Sequence, residues 1–163
     1  MTIRRTTALV LLLACASAVL LLSVASAGPK GKKQCVSFLM NFNPSTETAT
    51  WRLVPLTAGP LKSDSGSSTG GGSIGDVLLS NGQRVTPING SDMMTGKHGT
   101  LLVSQKLVST NVGNQYSADI GTWKFVRGTG AYKNVTGGGR FAGVGLPSGD
   151  TVLINQEGCL RIG

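Results

Sequence analysis

Histidine is almost absent from this 163-residue chain: His98 stands alone. One imidazole can build neither a His-based catalytic triad nor a cluster of His ligands for a metal, so no metal site is expected. Acidic residues number only 7, and no spacing pairs two of them for acid–base catalysis. Charged residues make up 13% and aromatics 5%, a balance that fits neither a coiled coil nor a charged disordered tail. Three cysteines are too few for a Cys/His zinc module. Serines are plentiful, but none lies in a G-x-S-x-G elbow. No cofactor is implied by any of these patterns.

One long apolar run does exist. Arg4 and Arg5 precede an almost unbroken apolar stretch from Ala8 to Val24, which ends at Ala25-Ser26-Ala27. A charged start, an apolar middle and an A-x-A site predict a secretory signal peptide over residues 1–27, cut after Ala27. The alternatives are an uncleaved anchor or a lipoprotein modified at Cys15. The small residues Ala14, Ala16, Ser17 and Ala18 weaken a span, and mostly apolar residues follow Cys15 where a lipoprotein presents a polar tether. The predicted localisation is therefore secreted, or extracellular. No second apolar run follows, so no transmembrane segment is expected in the mature form.

Removing the leader takes Arg4 and Arg5 and lowers the formal charge from +8 to +6, while all 24 glycines stay behind. Residues 28–33, with Lys30, Lys32 and Lys33, read as a flexible basic arm. Residues 34–163 read as a single domain. Cys35 and Cys159 remain, 124 positions apart, and in an oxidising compartment they are expected to form one disulfide, the alternative being a free thiol. Nucleic-acid binding is not expected, since the positive charge is dispersed and no basic stripe is interleaved with aromatics.

Alternation dominates the domain, and no stretch keeps a helical period. Val36, Phe38, Met40 and Phe42 share one parity, with Cys35 and Ser37 on the other. Val152, Ile154, Leu160 and Ile162 share a face, with Cys159 opposite. Further strands are predicted over 48–56, 74–80, 83–88, 99–108, 115–127 and 139–146. Asn81-Gly82 reads as a hairpin, and Asn89-Gly90 and Ser148-Gly149-Asp150 as turns. About eight short strands predict an all-β antiparallel barrel, with the two cysteines joining its first and last strands across the outer surface. Residues 57–73, rich in Gly and Ser, are expected to form a flexible loop.

The densest feature spans Gly121 to Gly143. It is not a dinucleotide fingerprint, because Lys133 stands where the third glycine is needed. A P-loop reading of Gly90 to Lys97 fails on its spacing and on His98. Gly121-Thr122-Trp123, Gly128-Thr129-Gly130-Ala131-Tyr132 and Gly137-Gly138-Gly139 resemble the C-terminal signature of allene oxide cyclase barrel-like proteins. These are related in fold to dirigent proteins and common among small secreted bacterial proteins. The resemblance implies an eight-stranded antiparallel barrel with a central cavity, and it transfers no activity.

Parity also proposes a site. Asp119 shares a face with Trp123 and Phe125, Gln105 with Leu101 and Val103, and Gln156 with Val152 and Ile154. Together with Trp51 these would line an apolar cavity carrying a few polar groups, as suits a small ligand. In the alternative arrangement Asp119 bonds a turn or Arg127, and the glutamines face water at the rims. Asp92, Lys97 and His98 read as a solvated loop. The leading expectation is a barrel that binds a small apolar ligand, without assignable catalysis. The alternatives are a cyclase- or dirigent-like enzyme guiding a reactive intermediate, and an extracellular interaction protein with a filled core.

Overall fold

A computed structural model describes residues 31–163. The leader and the start of the basic arm therefore lie outside the described residues. The strands are β1 (Lys32–Asn43), β2 (Thr48–Pro55), β3 (Asp64–Ile74), β4 (Leu78–Ser80), β5 (Gln83–Gly96), β6 (Gly99–Gly113), β7 (Tyr116–Gly128), β8 (Val135–Gly145) and β9 (Val152–Ile162). The only helical turn among the described residues is a short 3-10 piece at Gly130–Tyr132.

All strand pairs are antiparallel, and the hydrogen bonding runs round a ring. Its order is β3-β2-β1-β9-β8-β7-β6-β5, and β5 returns to pair with β3. The short β4 pairs with the start of β5, from Gln83 to Val85, while β3 pairs with its remainder, from Ile88 to Gly96. The barrel-like ring thus has eight members, and β4 extends the line of β3. Closing an antiparallel ring needs an even number of strands, which this arrangement supplies.

The first and last strands complete the ring in unbroken register from Lys32↔Ile162 to Phe42↔Val152. Cys35 lies directly opposite Cys159, and the two are joined as a disulfide. Val36, Phe38 and Met40 face inward and are buried, so the cysteines fall on the outer face, as alternation predicts. Lys32 and Lys33 are already part of β1, which corrects the expectation that the basic arm extends to residue 33.

The Gly/Ser-rich stretch departs further from expectation. Residues 64–74 are not a loop; they form β3, held by ladders to β2 on one side and β5 on the other. Backbone hydrogen bonds on both edges outweigh the poor strand propensity of Gly and Ser. A Cβ on Gly66 would lie 1.8 Å from the Thr95 carbonyl oxygen, so the close approach of β3 to β5 requires glycine there. Asn89-Gly90 likewise is no turn, because β5 runs straight through it while pairing with β6. A local turn signal fails where both neighbours are paired along their length. Asn81-Gly82 does turn the chain, with both residues at positive φ (49° and 78°), as a two-residue hairpin requires.

One end of the ring is plugged. The Gln34 amide donates to the Leu61 carbonyl (2.9 Å) and accepts from the Leu61 N–H (2.9 Å), holding the segment after β2 over the buried Leu61. Beside it the Tyr132 hydroxyl donates to Asp64 (2.7 Å), which also accepts from the backbone N–H groups of Ser65, Lys97 and His98. Burial pushes the Asp64 carboxyl up, but these four donors outweigh it and hold it below the usual carboxylate range. Burial, then the Asp64 carboxylate, pushes the Tyr132 hydroxyl up. Below the plug pack Phe38, Trp51 and Trp123, with Phe38 edge-on to Trp123 at 5.5 Å between ring centroids.

Two predictions follow from this end of the molecule and from the seam. Cys35→Ser together with Cys159→Ser is expected to cost about 4–5 kcal/mol in urea unfolding, given the loop that the bridge closes. Denatured and unreduced, the wild-type protein without residues 1–27 should gain no adduct from an alkylating agent, and two after reduction. Tyr132→Phe is expected to cost about 1–2 kcal/mol near neutral pH. Because the folded-state pKa of Asp64 is depressed, its contribution is present above the usual carboxylate range and lost as pH falls through the folded value. The difference between Tyr132→Phe and wild type in urea titrations should therefore shrink in acid.

Candidate functional site

The opposite half of the ring is built from smaller inward residues. Where the plugged half places Phe38, Leu53, Leu101 and Trp123 inside, this half places Gly72, Gly90, Ser109 and Ser117. Side-chain volume therefore runs out before the ring does. A cavity of about 320 Å³ remains, near the lower bound for small-molecule sites.

Its apolar wall comes from the end of β1 (Phe42), from β3 and β5 (Ile74, Ile88), and from β6, β8 and β9 (Leu107, Phe141, Ile154). Its polar wall carries Asp92 on β5, Gln105 on β6 and Asp119 on β7, with Glu47 at the turn between β1 and β2. The Gln105 amide donates to the Asp92 carboxylate across the β5–β6 ladder. Burial pushes the Asp92 carboxyl above the usual carboxylate range, and the Gln105 hydrogen bond offsets only part of that rise. Asp119 is 8% exposed, and its Oδ1 has no hydrogen-bond partner. A Cβ built on the facing Gly143 would meet both Phe141 and Asp119 at 3.2–3.5 Å, so β8 uses glycine to make room for them.

The residues proposed from parity divide between the two halves. Asp119 and Gln105 line the cavity and are buried, so neither the turn-bonded aspartate nor the rim-facing glutamine describes this structure. Gln156 is fully buried, and neither its oxygen nor its nitrogen has a partner. It pairs in register with Phe141, a cavity residue, and with Phe38, a core residue, and so sits where the two halves meet. Trp51 and Trp123 belong to the packed half; their indole N–H groups donate to the carbonyls of Ser67 (3.0 Å) and Glu157 (3.4 Å). Phe125 packs against that core as well.

No family model, no curated protein and no solved structure matches the chain. The site must be read from its own chemistry.

Asp92 corrects the sequence reading, which assigned it to a solvated loop. It lies on β5 at the parity of Gly90 and Met94 and is buried. The supposed turn at Asn89-Gly90 concealed that alternation. Glu47 also escaped sequence reasoning: it occupies a positive-φ turn position (52°), and only folding sets it beside Gly71 of β3. Among the described residues no group of three His, Cys, Asp or Glu side chains could hold a metal ion.

The cavity should trade stability for its polar groups. Asp92→Asn keeps the shape and an acceptor for Gln105 but removes the buried charge. The raised folded-state pKa means that the favourable contribution of protonated Asp92 is lost as pH rises through it. Asp92→Asn is therefore expected to stabilise the fold by about 1 kcal/mol near neutral pH, a gain typical of relieving a functional site. In acid, where Asp92 is protonated, urea unfolding should find the gain gone.

Proposed function

We propose that this is a secreted β-barrel protein that takes one small, largely apolar molecule into its cavity, without a catalytic step. The observation that carries the reading is the division of the ring: one half is filled by aromatic core, and the other keeps about 320 Å³ behind an apolar wall. A protein using its barrel only as core would fill both halves with apolar side chains, whose burial contributes about 25 cal/mol per Å². Secretion is supported by the leader pattern in residues 1–27 and by the Cys35–Cys159 bridge, which suits an oxidising compartment.

Kinship with allene oxide cyclase barrel-like proteins is part of the proposal and rests on the glycine signature. Gly121-Thr122-Trp123 lies in β7 and sends Trp123 into the core. Gly128 to Tyr132 forms the turn that delivers Tyr132 to Asp64, and Gly137 to Gly139 lie in β8. Ser109 lies opposite Asp119 in the cavity, but among the described residues no hydrogen bond joins a cavity hydroxyl to a carboxylate, which favours binding over the enzymatic alternative.

Octanol serves as a neutral apolar probe. Wild-type protein is expected to show a dose-dependent rise in melting temperature with octanol and a one-to-one calorimetric isotherm. Gly90→Leu should abolish both and keep the circular dichroism of the fold. A Cβ at Gly90 meets only Gln105 Oε1 and the Gly71 carbonyl, each at 3.4 Å, so the larger side chain grows into free space. A wild-type protein indifferent to octanol, or a Gly90→Leu protein that responds like wild type, would overturn the reading.

A further inference from the structure

The cavity wall carries a charge opposite to that of the chain. The sequence has 15 Lys and Arg against 7 Asp and Glu. Yet the charged residues among those lining the cavity are Glu47, Asp92 and Asp119, with no Lys, Arg or His beside them. Chance placement of a basic protein's charges would favour the reverse.

The three carboxylates are placed differently. Glu47 is exposed at the mouth, its carboxylate about level with Gly71, where a built Cβ would approach it to 3.0 Å. Asp92 is buried and has the neutral Gln105 amide as its side-chain partner. Asp119 is buried with Oδ1 unpartnered. An unpaired buried carboxylate is among the most costly groups a fold can keep, and a positive partner is what offsets that cost. Beside these groups on the same and neighbouring strands stand Ile88, Leu107 and Phe141, which offer a charged head no competing polar contact.

We infer that the cavity recognises a cationic amphiphile, a small organic amine whose ammonium group bonds to Asp119 and whose apolar body lies against Ile88, Leu107 and Phe141. This rests on the cavity-binding reading above and adds the chemistry of the ligand's head. An ammonium supplies three donors, one for Asp119 Oδ1, and sits in a cavity whose other charged lining residues, Asp92 and Glu47, are also acidic. A carboxylate or phosphate head would face three like charges. A neutral alcohol could donate one hydrogen bond but would leave the charge on Asp119 uncompensated. The volume, about ten water-sized groups at roughly 30 Å³ each, accepts a chain of octyl length.

The experiment compares octylamine, octanol and octanoate by isothermal titration calorimetry at about pH 7, where the amine is cationic and the acid anionic. Octylamine should bind at least about tenfold tighter than octanol, and octanoate most weakly. Asp119→Asn should remove most of the preference for amine over alcohol and leave octanol affinity nearly unchanged. Glu47→Gln, which changes only an exposed side chain at the β1–β2 turn, should weaken octylamine by a few-fold and serves if Asp119→Asn does not fold. Equal binding of octylamine and octanol to wild type overturns the assignment of the head group and leaves the cavity reading standing. A preference that persists in every folded variant among these two also overturns it. Failure of all three probes to bind overturns both readings.

Discussion

The pairing of β1 with β9 is the constraint on which everything else in this molecule depends. Every other strand neighbour is reached through a local connection, whereas this one joins residues at opposite ends of the domain. Without it the sheet would be open, with two unpaired edges available to other chains. With it, inward and outward faces become distinct all the way round. The disulfide lies within this seam, on its outer face, and so reinforces the contact with the largest loop-closure cost without using interior volume.

Once the ring is closed, its interior is governed by volume. Inward positions toward the end of the ring where Lys32 pairs with Ile162 carry Phe38, Trp51, Leu101 and Trp123, and the plug built on Gln34, Leu61, Asp64 and Tyr132 covers them. This half behaves as a core, and most of its polar groups are satisfied; the exceptions are Ser68 Oγ, between Ala49 and Met94, and the Gln156 amide at its border. Toward the other end several inward positions shrink to glycine or serine, among them Gly72, Gly90, Ser109 and Ser117, and Asp119 Oδ1 there lacks a partner. The packed half stabilises the ring strongly enough to hold an incompletely filled half in shape. Such a division, rigid support beneath a poorly satisfied pocket, is how a small domain preorganises a binding site.

Much of this was legible in particular residues. The parity of Val36, Phe38 and Met40 identified the inner face of β1, and with it the outer position of Cys35. Parity also turned Gln105, Gln156 and Asp119 inward, where the structure buries them. It could not separate Trp123 from Asp119, because alternation assigns a face and says nothing about depth along the ring axis. It lost Asp92 behind the turn signal of Asn89-Gly90, and it read residues 64–73 as part of a loop because glycine and serine carry no propensity for the strand they form.

Alternation and turn residues thus determined that this chain is all-β, that its strands are antiparallel, and which side chains share a face. Those properties depend on neighbours within a few residues, and the order of amino acids records them directly. Tertiary structure decided which strands meet, that a glycine-rich segment becomes a full member of the ring, and that Glu47, Asp92 and Asp119 share one cavity. These residues come from different strands and a turn, and only the closed register of the sheet lets them line one cavity. That register is set by hydrogen bonding between distant segments, for which local sequence carries no mark.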